Sequence, residues 1–324
     1  METFTGCLPD TRSEEAKAKD YVKDVAMFGP VVWQPKNFRD IKVFPVRNQD
    51  GSGTCVMQTC DLMCGIENFL EEGKFIEFSA DLYNFRDNRD SAGMIGVNAL
   101  QLLKDVGLTL EVLIPSMNMG ESQIATLKRK VSDQEIAKIF RIKDYWQLPF
   151  SVDAIATIME NGRKDGVAKP VMVWFQFPRI EWDAKPQLSS NREDIVRHSV
   201  TAIDYGMVDG KKGLFIQDSW GLHSSTENGL RFISENYVND RMIFCAYVND
   251  KLNNWQELPN TIIKRTLRIG MRGDDVKELQ GLLKVNVDGI FGRKTQLAVI
   301  AFQVEHGLVG DGVVGPQTLV ALLK

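Results

Sequence analysis

Long hydrophobic runs are missing from this 324-residue chain. The longest candidate, VMVWFQF over 171–177, falls far short of the ~18 residues a membrane-spanning helix needs, so no membrane insertion is expected. The first twenty residues, METFTGCLPDTRSEEAKAKD, have no basic start followed by an apolar core, and no export signal is read there. Charge of one sign is not in excess: 39 Lys and Arg against 43 Asp and Glu leave −4, which argues against a general nucleic-acid-binding surface. Cysteine is scarce and odd in number. Cys7, Cys55, Cys60, Cys64 and Cys245 do not make a disulfide scaffold and, without an export signal, point to synthesis in a reducing cytoplasm. Cys60 and Cys64 sit inside an apolar helical pattern with no histidine nearby and no C-x-x-C, so they read as buried thiols rather than zinc ligands. No phosphate-binding G-x-x-x-x-G-K-[ST] and no H-E-x-x-H occur. No metal and no cofactor is expected.

What is present is an ordinary soluble balance, 44% apolar and 25% charged, over a length suited to two domains. The composition shifts in the polar stretch 251–265. Beyond it, 274–284, 294–307 and 316–324 each carry apolar residues at i, i+3, i+4 spacing, the pattern of three short helices. Between them DGIFGRKTQLAV from Asp288 and DGVVGPQTLVAL from Asp311 form an internal repeat, Asp-Gly-x-x-Gly-x-x-Thr-x-x-Ala, offset by 23 residues. Asp-Gly starts a tight turn, and the threonine supports the following helix start. We therefore divide the chain into 1–255, with 1–35 as an N-terminal extension of unassigned role, a linker 256–265, and a small helical domain 266–324.

In the larger part, helical patterns fall at 13–25, 55–71, 94–106 and 152–161, and strand-like runs at 170–177, 199–205, 213–218, 230–234 and 242–248. Helices followed by antiparallel-type strands predict an α+β fold. With three histidines the search for an acid/base group is short. His306 closes a helix in the small domain, and His223 lies in a polar loop. His198 opens an apolar, period-two segment after a polar loop, a placement that presents an imidazole at a cleft, although a satisfied surface histidine would look the same. The glycine-rich turn before Cys55 puts that thiol in the first turn of a helix, where unpaired N–H groups and the positive helix end stabilise a thiolate, the nucleophilic form. Gln49, six residues upstream, can bring its side-chain amide to the same point and complete a two-donor oxyanion hole with the Cys55 N–H.

Three blocks in order carry a resemblance. PVRNQDGSGTC from Pro45, AGMIGVNALQLLKDVGL from Ala92, and HSVTAIDYGMVDGKKGLFIQDSWG from His198 resemble the cysteine, glycine-loop and histidine/Asn-Ser-Trp-Gly motifs of papain-family cysteine peptidases. The resemblance implies a two-lobed fold, helical on one side and antiparallel β on the other. It implies Cys55 as nucleophile, His198 as general acid/base and Gln49 as oxyanion donor. Asp218 stands where the family has the asparagine that orients the imidazole, with Trp220 shielding that hydrogen bond. Gly93 matches the glycine whose backbone pairs with the substrate chain. Departures are Asp218 for asparagine, Ser52 for a disulfide cysteine, Val56 for a tryptophan, and the lack of a long pro-segment. The run from Leu267 to Leu323 resembles the three-helix peptidoglycan-binding domain of cell-wall hydrolases, which implies a ligand surface around Asp288, Gly289, Phe291 and Asp311. Phe291 fits the core equally well, and a spacer without a ligand is the alternative for the whole domain.

Joined, the two resemblances imply a monomeric, wall-targeted cysteine endopeptidase whose partners are peptidoglycan and a peptide substrate. It would hydrolyse stem or cross-bridge peptides. The order of domains resembles a bacteriophage endolysin, made in the cytoplasm and acting at the bacterial cell wall after release. The rivals are a wall-anchored protease of ordinary proteins and an inactive wall-binding protein.

Overall fold

The computed structural model describes residues 6–20, 22–87, 92–182, 186–221, 229–249 and 261–323. His223 and the first half of the expected linker, 256–260, lie outside these. The fold is α+β, and it is built around one six-stranded antiparallel sheet in the order β1-β6-β2-β3-β4-β5. The strands are β1 (Tyr145–Gln147), β2 (Val171–Pro178), β3 (Ile195–Val208), β4 (Lys211–Gln217), β5 (Leu230–Ser234) and β6 (Met242–Val248). β2 and β6 read as near-continuous apolar runs because the sheet is covered on both faces. The covers are α2 (Cys55–Glu72) on one side and α6 (Val152–Asn161) with α7 (Glu235–Arg241) on the other.

α2 is buried on nearly its whole circumference, so its residues are mostly small or apolar and its buried carboxylates Asp61 and Glu67 are paired with Arg47 and Lys169. It ends where Gly73 takes a left-handed conformation (φ 74°) and donates to Phe69 O, a glycine cap. Its outer face packs on α3 (Gly96–Asp105) and on the short helical turn Ala80–Phe85, and together these form a helical lobe beside the sheet. Short helices α4 (Glu121–Ile124) and α5 (Val131–Ala137) complete this lobe.

The stretch 13–25 was expected to be helical. Only α1 (Glu14–Lys17) forms, and none of its residues is buried. The segment has helix-forming residues but no apolar face to bury, so the helix stops after one turn and residues 22–25 run over the body. Val22 bridges to Gln147, and Lys23 N–H donates to Gln147 O.

The C-terminal part holds α8 (Asp274–Leu282), α9 (Arg293–Glu305) and α10 (Pro316–Leu322) around a core of Leu267, Val276, Leu279, Phe291, Val299, Val314 and Leu319. The repeat has a structural cause. Gln280 and Gln303, both buried, donate from Nε2 to Asp288 Oδ1 and Asp311 Oδ1, each at 2.8 Å, and to Thr295 and Thr318 Oγ1, each at 3.0 Å. Their Oε1 atoms accept from Gly289 N and Gly312 N. Each Asp-Gly turn is thus pinned by a glutamine eight residues earlier.

Candidate active site

α2, β3 and the end of β4 bring the site together. Cys55 is the first residue of α2. Thr59, one turn on, donates to Cys55 O at 2.9 Å and accepts from Ser199 Oγ at 2.9 Å. Ser199 follows His198 on β3, so this buried hydroxyl pair fixes the strand to the helix beside the thiol. β3 and β4 pair Thr201 with Gln217, which leaves Asp218 just past the strand end on the His198 side. His198 Nε2 lies 2.8 Å from Asp218 Oδ1 with both side chains fully buried. Nδ1 is left without a hydrogen-bond partner. The Trp220 ring covers the imidazole at 4.7 Å between centroids.

Gln49, the expected oxyanion donor, is tied to the same segment. Gln49 N–H donates to Ser219 O at 2.9 Å, Gln49 Oε1 accepts from Ser219 Oγ at 2.9 Å, and Gln49 Nε2 donates to Ser52 O at 2.6 Å. Asn48 pairs with Trp220 across this join. Cys55, His198, Asp218, Gln49 and Trp220 therefore converge on one place.

Two residues were not anticipated. Trp182 Nε1 and Arg231 Nε both donate to Asp218 Oδ2 at 2.9 Å, while Ser219 N–H donates to Oδ1 at 2.7 Å. All acceptor sites of the carboxylate are in use, and Arg231 is itself only 1% exposed. A charged residue within the apolar run LRFIS was the one sequence signal for it, since a buried arginine needs a counter-ion.

These contacts set the charges. Burial pushes Asp218 up, but His198, Arg231 and Trp182 outweigh it and hold the carboxyl well below its usual range. For His198 burial pulls the other way, and Asp218 overrides it, with a contribution from Cys55, raising the imidazole to about 9. Burial likewise raises Cys55, but the neighbouring Cys7 thiol and the nearby His198 imidazolium charge bring it down to about 6. Both shifts run in the direction that favours a thiolate–imidazolium pair. Cys60 and Cys64, buried without such partners, are pushed well up and are inert thiols.

The chain's own N-terminal segment crosses this site. Met94 N–H donates to Gly6 O at 2.7 Å and Leu8 N–H to Met94 O at 2.8 Å, so Cys7 is clamped between two main-chain bonds. Its Sγ lies 3.5 Å from Cys55 Sγ. Gly93, at φ 107°, has room for no β-carbon, which would sit 2.8 Å from Gly6 O. The edge expected to take substrate is occupied by residues 6–8. Beside Leu8 a cavity of about 440 Å³ opens between Ile95, Trp174, Arg197 and Phe244.

In the C-terminal part the expected ligand surface is corrected. Phe291 is 0% exposed and Gly289 is buried, so both belong to the core and the turn rather than to a ligand face. Asp288 and Asp311 are exposed, but each Oδ1 holds its own turn, and Asp311 Oδ2 also meets Lys74 Nζ at 3.1 Å. Among the described residues no group of His, Cys, Asp and Glu suited to a metal ion occurs.

Comparison with known proteins finds relatives for each part separately. Residues 272–322 match the family described as "Putative peptidoglycan binding domain". A spore cortex-lytic enzyme of Bacillus cereus is 40% identical over 80 residues, 23% of this chain and 29% of that protein. N-acetylmuramoyl-L-alanine amidase CwlM of Mycobacterium tuberculosis is 45% identical over 56 residues, 15% of this chain and 14% of that protein. The chain thus spans less than a third of the length of these relatives. Among solved structures, Xylellain, a cysteine protease from Xylella fastidiosa, superposes with a TM-score of 0.62 at 14% identity, over 76% of this chain and 96% of that one. Digestive procathepsin L 3 of Tenebrio molitor larval midgut gives 0.52 at 18% identity, over 72% and 76%. The fold is that of papain-like cysteine proteases. At its C-terminal end the chain carries a peptidoglycan-binding domain.

Proposed function

We propose that the chain is a cysteine endopeptidase directed at the cell wall, cutting peptide bonds in peptidoglycan stem or cross-bridge peptides. The observation that carries this reading is the buried Cys55–His198–Asp218 line on a chain that also holds a peptidoglycan-binding domain. In the reaction the Cys55 thiolate attacks the scissile carbonyl carbon. The oxyanion is received by the Cys55 N–H and the Gln49 amide, and His198 gives its proton to the leaving amine. Water, deprotonated by His198, then hydrolyses the thioacyl intermediate. Asp218 holds the imidazole in place and stays ionised throughout. Residues 1–255 supply this chemistry and 266–324 the wall attachment, and the order of the two fits a bacteriophage endolysin acting at the wall after release. A monomer suffices, since the site draws on one chain.

A second reading has an observation of its own. Residues 6–8, Gly-Cys-Leu, already pair with Met94 through main-chain bonds, so the cleft accepts normal protein backbone. A wall-anchored protease of proteins would use the same site. Digestion of purified peptidoglycan with mass identification of the fragments separates the two. New amines without new reducing sugar ends are expected, and none with Cys55→Ala. Casein digestion without wall digestion would establish the second reading instead.

A further inference from the structure

The contact between Cys7 and Cys55 is unlike the other thiols of the chain. Both sulfurs are buried, and Cys7 is placed by two main-chain hydrogen bonds rather than by packing alone. Among the described residues no other two cysteine sulfurs approach within hydrogen-bonding distance. We propose that Cys7 and Cys55 are a covalent modification site, closed to a reversible disulfide by a low-molecular-weight disulfide such as glutathione disulfide, with residues 6–8 locked across the cleft. The inference needs the two thiols and their geometry, not the identity of the substrate.

The chemistry balances. The Cys55 thiolate attacks one sulfur of the small disulfide, forming a mixed disulfide and expelling a small thiolate, which takes the proton held by His198. Cys7 then loses its proton and attacks the Cys55 sulfur. The mixed bond breaks, and the second small thiolate leaves with that proton. Two protein thiols are oxidised to one disulfide, and the small disulfide is reduced to two thiols. Attack is favoured at Cys55 because it is the ionised partner, whereas burial and the neighbouring thiolate hold Cys7 in its protonated form. The oxidant reaches Cys55 when the segment swings out, and its return brings Cys7 in line. The sulfurs have only to close from 3.5 Å to the bonding distance of about 2 Å. Few bonds oppose the swing, since the segment is held at Met94 and again at Gln147.

The test maps thiols and needs no substrate. The purified full chain is incubated with glutathione disulfide, quenched by alkylation, digested and analysed by mass spectrometry. A linked peptide pair containing Cys7 and Cys55 is expected, with loss of Cys55 labelling by iodoacetamide and full recovery after dithiothreitol. Cys7→Ser should instead carry glutathione on Cys55. The proposal is overturned if wild-type Cys55 stops at the glutathione adduct with Cys7 alkylated, or if Cys55 does not react. Because the readout is a bond and not a rate, a failure here leaves the hydrolytic reading intact, and an inactive enzyme would still reveal the link.

Discussion

Asp218 does two jobs with one charge. Its charge keeps His198 protonated, and its other oxygen neutralises Arg231, a cation with almost no access to water. An asparagine at this position would keep the hydrogen bond to the imidazole but strand the arginine. Breaking a buried pair by removing one partner costs about 3–5 kcal/mol. Asp218→Asn should therefore lose stability on that scale in urea unfolding. Its pH–rate profile should also change. His198 stands at about 9 because the carboxylate outweighs burial. Without that charge its pKa falls, and the alkaline limb of kcat/KM moves to lower pH. The double variant Asp218→Asn with Arg231→Gln separates the effects: stability should recover while the limb stays low. If the double variant is no more stable than the single one, the arginine is not held by this charge. Cys55, His198, Asp218 and Gln49 were legible because their motifs carry local spacing and order. Trp182, Arg231 and Cys7 were not, because only the folded sheet and the returning N-terminal segment bring them near Asp218 or Cys55.

α2 shows how an element supports a site several turns away. Ser199 and Thr201 hold it to β3 through Thr59, so the position of Cys55 depends on how closely the helix seats. Gly65 lies where the chain returns after the helix; a β-carbon there would sit 2.5 Å from Ile76 O and 2.6 Å from the Phe75 ring. Gly65→Ala gains about 1 kcal/mol of helix propensity. It meets backbone that cannot rotate away, and overpacking of that kind costs typically about 1–3 kcal/mol. The expected result is a net loss in the unfolding midpoint, and a gain would show that the returning segment at Phe75 and Ile76 yields. The long amphipathic or glycine-introduced elements, α2, α3 and α6, were readable, as were five strands. β1 was missed because it is three residues long and pairs only with β6, and α7 because one short helix between two strands leaves little periodicity. The overextended N-terminal helix failed for the opposite reason. Its propensity was real, but α1 buries nothing to reward it.

At the scale of the molecule the question is how much the C-terminal domain depends on the rest. Its core residues pack around their own repeat, and both Asp-Gly turns are satisfied from within. Contacts to the larger part include Lys74 with Asp311 at 3.1 Å and Thr266 Oγ1 with Glu72 at 2.9 Å. The first is partly exposed, and ion pairs of that kind contribute at most about 1 kcal/mol. Apolar side chains of the two parts also meet in one buried cluster, but the small domain's core and both of its turns are made from its own residues. Residues 266–324 alone should fold and co-sediment with peptidoglycan, while residues 1–255 alone should keep their action on a short soluble peptide. On intact wall the two halves together have an advantage that neither has alone, because binding by one converts the other's encounter into an intramolecular event, an effect on the order of 10²-fold or more when geometry permits. The ratio of wall to soluble-peptide rates should therefore fall sharply on removal of 266–324, with the soluble rate unchanged. Equal ratios for the full and truncated chains, or no sedimentation of the small domain above a control protein, would mean that it is a spacer.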